Sequence, residues 1–154
     1  MPERMEEDEK AGIKAKINEH YGSSFTTDHM LLSKKEKNGE KIFIFSGKIL
    51  PKLPADWVGL HIATMEDAGV YLSIEGAQMV GKTATKNVVE ITRGDSESLM
   101  KGEDLHYSGA LRGYVILKQG GNIIGVCKAE EGRILNILPK SRRVVRYRKN
   151  EEGE

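Results

Sequence analysis

Residues 112–149 read RGYVILKQGGNIIGVCKAEEGRILNILPKSRRVVRYRK. Two apolar runs, Tyr114 to Leu117 and Ile123 to Cys127, flank the pair Gly120-Gly121, and this is the pattern of two short strands joined by a tight turn. A third run, Arg133 to Leu138, follows another glycine-containing turn, and a proline ends it. The stretch therefore predicts a β-rich unit built from short strands.

The positive charge of the chain is concentrated in this same stretch. Residues 112–149 contain ten Lys or Arg and two acidic residues, whereas residues 1–111 contain 14 and 18, and residues 150–154 add three Glu. The formal net charge of +1 conceals this asymmetry. Such a distribution is typical of nucleic-acid-binding proteins, and a β-rich unit dense in Arg and Lys favours a phosphate-bearing partner. A solvated charged surface is the alternative interpretation.

Length and composition exclude several protein classes. The chain has 154 residues, of which 38% are apolar, so it can form one domain or two small ones with a modest core. No apolar run approaches the roughly 20 residues that span a bilayer, and the charged start MPERMEEDEK predicts no secretory signal. The single cysteine, Cys127, excludes an internal disulfide and fits a reducing compartment. We therefore expect a cytoplasmic protein that does not bind membranes.

The first part of the chain predicts a helix followed by a hairpin. Ile13, Ile17 and Tyr21 recur at helical spacing, so we expect a helix from Glu6 to Tyr21 that ends at a glycine. Strand-like runs on either side of Asn38-Gly39 indicate a tight hairpin, from Met30 to Lys34 and from Lys41 to Phe45.

A proline-containing connector, Ile49 to Pro54, and the single tryptophan, Trp57, suggest a domain junction. Beyond it, short strands alternate with turns and with two short helical stretches, at Ala77 to Val80 and Asp95 to Lys101. The fold class that these patterns indicate is α+β, with a small helix-and-hairpin unit followed by a compact barrel. The expected divisions are 1–56, 57–149 and a disordered acidic tail at 150–154.

One string has the letters of a nucleotide-binding loop. Gly76 to Thr83 reads GAQMVGKT, which matches G-x-x-x-x-G-K-[ST] and follows the predicted strand Val70 to Ile74. A phosphate-binding loop of this kind requires a helix that begins at the lysine, here Lys82, because the helix N-terminus completes the anion site. The residues that follow, Ala84 to Val89, favour a strand. Because the required helix is not favoured, nucleotide binding is only the alternative function.

No other pattern indicates catalysis. The four histidines lack the paired spacing of a zinc site, and no nucleophile motif is present. The sequence thus predicts no enzyme, no catalytic residue, no metal and no cofactor.

Four short motifs follow one another in the basic stretch: Gly113-Tyr114-Val115, Ile124 to Lys128, Gly132 to Asn136, and Pro139 to Arg143. Their order resembles the PUA-like module at the C-terminus of NOL/NOP/Sun-type RNA cytosine-5 methyltransferases. The family pattern is matched at Gly125, Lys128, Asn136, Pro139 and Lys140. Val126, Cys127 and Leu135 stand where the family has tryptophan, glycine and lysine.

The resemblance implies a PUA pseudo-barrel from about Leu60 onward, with structural roles for Gly76 and Gly81. It also implies an accessory unit before the barrel and no catalytic domain with an S-adenosylmethionine site. The implied function is non-catalytic binding of structured RNA, ribosomal or transfer RNA, in RNA modification or ribosome biogenesis. A protein-interaction adaptor that binds an RNA-modifying enzyme or a ribosomal protein is a further alternative.

The expected RNA contacts are mostly cations, which release counterions when they meet phosphates. For Asn136 the alternatives are a hydrogen bond to RNA and a turn-stabilising role. For Tyr107 and Tyr114 they are base stacking and core packing, of which packing is favoured. The residues expected to contact RNA are Lys82, Lys86, Arg112, Lys118, Lys128, Arg133, Asn136, Lys140, Arg142, Arg143 and Arg146.

Overall fold

A computed structural model of the chain describes residues 3–45 and 59–140. The described residues form three helices and ten strands and divide into two compact units between Asn87 and Val88. The elements of the first unit are β1 (Glu3–Arg4), α1 (Glu7–Tyr21), β2 (Met30–Glu36), β3 (Gly39–Phe45), β4 (Leu60–Glu66), β5 (Gly69–Leu72) and α2 (Ile74–Val80). Those of the second are β6 (Val88–Glu90), α3 (Arg93–Met100), β7 (Leu105–His106), β8 (Gly113–Gln119), β9 (Asn122–Glu130) and β10 (Arg133–Leu135). The predicted α+β class is confirmed.

The first unit combines helix α1 with an antiparallel sheet in the order β1-β2-β3-β4-β5. The backbone N–H of Glu6 donates to the Glu9 carboxylate at 2.9 Å, which satisfies one of the unpaired donors at the start of α1. Gly22 ends the helix in the left-handed conformation (φ 56°) that a glycine adopts without steric cost. The predicted helix and the β2–β3 hairpin are therefore confirmed.

Strands β4 and β5 continue the sheet of the first unit, since β4 pairs with β3 and β5 pairs with β4. They had been expected to begin the second domain. The expected boundary near residue 56, the connector Ile49 to Pro54, Trp57 and the acidic tail at 150–154 all lie outside the described residues. Residues 46–59 separate β3 from β4 in the sequence. The sequence pattern of short strands and turns therefore does not predict that these two strands pair.

The second unit is a five-stranded sheet in the order β6-β8-β9-β10-β7. Strand β6 runs parallel to β8, whereas the other pairs are antiparallel. One face of the sheet and helix α3 enclose a core of buried residues. Its members are Ile91, Leu99, Leu105, Val115, Leu117, Cys127, Ala129, Ile134 and Leu138.

Two helices differ from the sequence-based expectation at their starts. Helix α3 begins at Arg93 rather than Asp95 because Thr92 acts as its N-cap, exchanging hydrogen bonds of 3.0 and 3.1 Å with Asp95. Helix α2 begins at Ile74 rather than Ala77, because Ser73 caps it by accepting a hydrogen bond from the Gly76 N–H. None of the helices in the described ranges is long and apolar enough to cross a membrane.

Candidate nucleic-acid interface

The β8–β9 hairpin carries Lys128, a predicted RNA contact, and Tyr114, a residue considered for base stacking, on the sheet face opposite the core. Side chains alternate along a strand, so Val115 and its cross-strand partner Cys127 enter the core, while Tyr114 and its partner Lys128 lie on the other face. The Lys128 ammonium group lies 5.9 Å from the centre of the Tyr114 ring, which places it within range of a cation–π interaction. Both side chains are half-buried.

Two predicted arginine contacts already have carboxylate partners. Arg112 lies 3.2 Å from the Glu131 carboxylate, and Arg133 lies 3.4 Å from that of Glu130 and 3.8 Å from that of Asp104. The side chains of both arginines are more than half exposed, at 66% and 54%. Ion pairs at such exposure contribute about 0–1 kcal/mol, so a phosphate group can replace the carboxylate at little cost.

Both the nitrogen and the oxygen of the Asn136 side-chain amide form hydrogen bonds within the protein. Its side-chain N–H groups donate to the carbonyls of Leu99 and Glu103, each at 3.0 Å, and its side-chain oxygen accepts from Leu138 N–H at 3.1 Å. Its backbone N–H donates to the Asp104 carboxylate at 2.8 Å. These bonds join the chain after β10 to the end of α3, so the geometry favours the structural alternative over an RNA contact.

The other predicted cations of the second unit are Lys118, Lys140 and three arginines. Lys118 is half-buried on β8, and Lys140 is exposed. Arg142, Arg143 and Arg146 lie outside the described residues. Residues 88–140 contain seven Lys or Arg and seven Asp or Glu, whereas residues 141–149 contain five Lys or Arg and no acid. The positive excess of the second unit therefore lies at 141–149.

Lys82 and Lys86 belong to the first unit, not to the unit that carries the other predicted contacts. Both are exposed. Lys82 follows the end of α2, so the helix ends where a phosphate-binding loop requires one to begin. The N–H groups of Gly76 and Gly81 donate to Ser73 Oγ and to the Ala77 carbonyl, which removes them as phosphate donors. This geometry contradicts the nucleotide-binding loop.

Gly76 instead has a packing role, as the resemblance implied. A Cβ atom at this position would collide with the backbone carbonyl oxygen of Ile62 on β4, so only glycine allows α2 to approach the sheet this closely.

The two tyrosines considered for base stacking differ in their surroundings. Tyr107 packs against the core of the second unit, and its hydroxyl accepts a hydrogen bond from the Leu111 N–H at 3.4 Å. Tyr114 stays available only in part, because it is half-buried beside Lys128. Val126 and Cys127, two of the departures from the family pattern, are buried and so contact no RNA in this fold.

Ionisable groups elsewhere form no metal site among the residues that the structure describes. His61, on β4, is half-buried beside the Phe43 ring and lies 3.0 Å from the Thr64 hydroxyl. Burial, with the nearby Lys41 charge, lowers the pKa of His61 below its ordinary value. Its surroundings are those of a packed residue.

One group of residues was overlooked at the sequence level. Ser24, Thr26, Thr27 and Thr83 line a cavity of about 310 Å³ together with Lys82. In the sequence, the string Ser23-Ser24-Phe25-Thr26-Thr27 is recognisable only as a polar, hydroxyl-rich segment. Its richness in hydroxyl groups was the available signal, but the sequence does not show that Thr83 and Lys82 lie beside it.

Comparison with known proteins connects the second unit to one family. Residues 86–144 match the family model described as the methyltransferase RsmF PUA domain. The ribosomal RNA small subunit methyltransferase F of Aeromonas salmonicida is 30% identical to this chain over 105 residues, and that of Aeromonas hydrophila subsp. hydrophila is 31% identical over 105 residues. Each alignment covers 66% of this chain but 22% of the relative, so the chain spans a minor part of the length of these relatives. Because 105 residues exceed the length of the matched stretch, the similarity to these relatives extends outside residues 86–144.

Proposed function

Since residues 86–144 belong to the PUA-domain family of the methyltransferase RsmF, we propose that this chain is a non-catalytic RNA-binding protein that acts in ribosomal RNA modification. The family match is the observation that carries this proposal. The names of the similar Aeromonas proteins favour ribosomal RNA over transfer RNA as the partner. A separate modifying enzyme or a ribosomal protein is the proposed protein partner.

The charge distribution supports the proposal and assigns the residues unequal roles. Arg142, Arg143 and Arg146 lie in the stretch that holds the positive excess, so we assign them the dominant phosphate contacts. Lys140, exposed next to that stretch, extends the same group.

Arg112 and Arg133 contribute by exchanging their carboxylate partners for phosphates, which costs little at their exposure. Lys118 and Lys128 contribute from the sheet face opposite the core. Asn136 is assigned a structural role.

The experiment measures the salt dependence of binding. Wild-type chain and the double variant Arg142→Ala/Arg143→Ala are titrated with a duplex from small-subunit ribosomal RNA at several salt concentrations. Log affinity should fall linearly with log salt, and each lost phosphate contact should reduce the magnitude of the slope by about 0.9. We therefore expect the double variant to bind more weakly and with a slope that is smaller by about two.

The matched control is Lys35→Ala/Lys37→Ala, which removes the same formal charge from exposed positions on the β2–β3 hairpin. It should leave both affinity and slope near the wild-type values. Equal losses in the two double variants would mean that net charge alone drives the interaction. Absence of RNA binding at low salt would refute the proposed function.

A further inference from the structure

A cavity of the first unit lies between the loop that follows α1 and the segment that follows α2. The end of α1 and this segment are held together by backbone bonds: the N–H groups of Thr85 and Lys86 each donate to the Tyr21 carbonyl at 2.9 Å. The Thr85 hydroxyl donates to the Gly22 carbonyl at 2.7 Å, and the Asn87 amide donates to the His20 carbonyl at 2.7 Å. The two sides of the cavity are therefore fixed relative to each other.

Three hydroxyl groups at this cavity are oriented by protein donors. Thr83 Oγ1 accepts from the Ser24 N–H at 2.9 Å, and Thr27 Oγ1 accepts from the His29 N–H at 3.1 Å. Thr26 Oγ1 accepts from the Lys14 ammonium group at 3.5 Å. A hydroxyl has a single hydrogen to donate. Each of these oxygens accepts from a protein donor, and each hydroxyl hydrogen can rotate to donate to an acceptor oxygen of a ligand in the cavity.

The charges at this cavity favour an anion. Its lining contains the Lys82 ammonium group and the His29 imidazole, with Phe25, Ile44 and Met79 as apolar lining, and no carboxylate. Four other cavities among the described residues each include at least one Glu or Asp. Within the described part of the chain, Lys82 forms no ion pair, in contrast to the arginines of β10 and of the segment before β8.

We propose that this hydroxyl cavity, formed by residues 24–27 together with His29, Ile44, Met79, Lys82 and Thr83, binds a phosphate group of the RNA backbone. A phosphate offers several acceptor oxygens and negative charge, which complements three hydroxyl donors and a lysine. The inference rests on the proposed RNA-binding function and extends it, because it gives the first unit a phosphate contact of its own. Lys86, which is also exposed, follows Lys82 by four residues in the same unit.

The test combines affinity measurement with NMR of the full chain. The ribosomal RNA duplex and, separately, ATP are titrated into ¹⁵N-labelled wild-type protein. The backbone amide signals of residues 24–27 and 83 should shift on adding RNA. Lys82→Ala should reduce the magnitude of the salt-dependence slope by about one, and Lys82→Arg should restore it. Thr26→Val, which removes one exposed hydroxyl, should weaken RNA binding and leave the slope unchanged.

The matched control is Lys37→Ala, which removes the same charge from an exposed position near the tip of the β2–β3 hairpin of the same unit. RNA binding that leaves the amides of residues 24–27 and 83 unshifted, with equal slopes for Lys82→Ala and Lys37→Ala, overturns the cavity and leaves the RNA function intact. Shifts caused by ATP in a chain that binds no RNA would refute the RNA function and identify free nucleotide as the source of the phosphate. No shift with either ligand overturns the cavity.

Discussion

Two glycines of the first unit should respond in opposite ways to the same substitution by alanine. Gly76 lies in α2, and a Cβ atom there would collide with the Ile62 carbonyl oxygen and lie 2.9 Å from the Ile62 carbonyl carbon. Both are backbone atoms of β4, so they move only if the helix or the strand is displaced. Overpacking of this kind costs about 1–3 kcal/mol.

The displacement would also strain the bonds that attach the start of α2 to the sheet. Ser73 N–H donates to the Ile62 carbonyl at 3.1 Å, and the Ser73 hydroxyl donates to the His61 carbonyl at 2.7 Å. Each hydrogen bond contributes about 1 kcal/mol. Even after the gain in helix propensity of up to about 1 kcal/mol, Gly76→Ala should lower the free energy of unfolding by about 1–3 kcal/mol.

Gly12 is the matched control. It is exposed in the middle of α1, and a Cβ atom there would meet nothing within 4 Å. Gly12→Ala should therefore raise the free energy of unfolding by about 0.8–1 kcal/mol, the difference in helix propensity between the two residues.

Urea denaturation followed by far-ultraviolet circular dichroism measures both effects. With a urea dependence of about 1–3 kcal/mol per molar, the midpoint should fall by about 1 M for Gly76→Ala and rise by about 0.5 M for Gly12→Ala. Equal midpoints for the two variants, or a higher midpoint for Gly76→Ala, would refute the packing argument for Gly76.

Three further predictions concern polar side chains that are buried or half-buried. Tyr21→Phe removes the donor to the Val70 carbonyl, a bond of 2.6 Å in a fully buried setting, and should cost about 1–3 kcal/mol in urea denaturation. Asn136→Ala removes three side-chain hydrogen bonds, including the one to Leu99, and should cost about 2–4 kcal/mol, while RNA affinity measured well below the unfolding midpoint stays unchanged. Because burial lowers the pKa of His61, the unfolded chain binds the proton more readily, so the free energy of unfolding should fall as the pH drops below about 6.5. His61→Gln should flatten that part of the pH profile.

Each of these predictions has a contradicting result. Unchanged stability of Tyr21→Phe would show that the Val70 carbonyl finds another donor. Loss of RNA affinity by a stable Asn136→Ala variant would support a hydrogen bond from Asn136 to RNA. An identical pH profile for wild type and His61→Gln would assign the pH dependence to other groups.

The sequence predicted individual helices and turns well, because each is determined by residues that are close together in the chain. The spacing of Ile13, Ile17 and Tyr21 and the dipeptide Asn38-Gly39 fix a helix and a turn through neighbouring residues alone. Strands β3 and β4 pair although a connector separates them in the sequence. The alternation of apolar and polar residues in a strand shows which face is buried, but not which sheet the strand joins. The same limit applies to Thr83 and Ser24, which are 59 residues apart in the chain and 2.9 Å apart in the fold.

At the candidate interface, the sequence likewise does not show which charged residues become neighbours in the fold. The sequence counts Arg133 as one of ten cations in a stretch with two acids, but one of its partners, Asp104, comes from outside that stretch. Glu130, the last residue of β9, pairs with Arg133, and Glu131, in the turn that follows, pairs with Arg112. A charge count along the sequence therefore overestimates the field that a polyanion meets. Substitution should change the salt dependence most at two places: the stretch 141–149, whose sequence contains five cations and no acid, and Lys82, which forms no ion pair among the described residues.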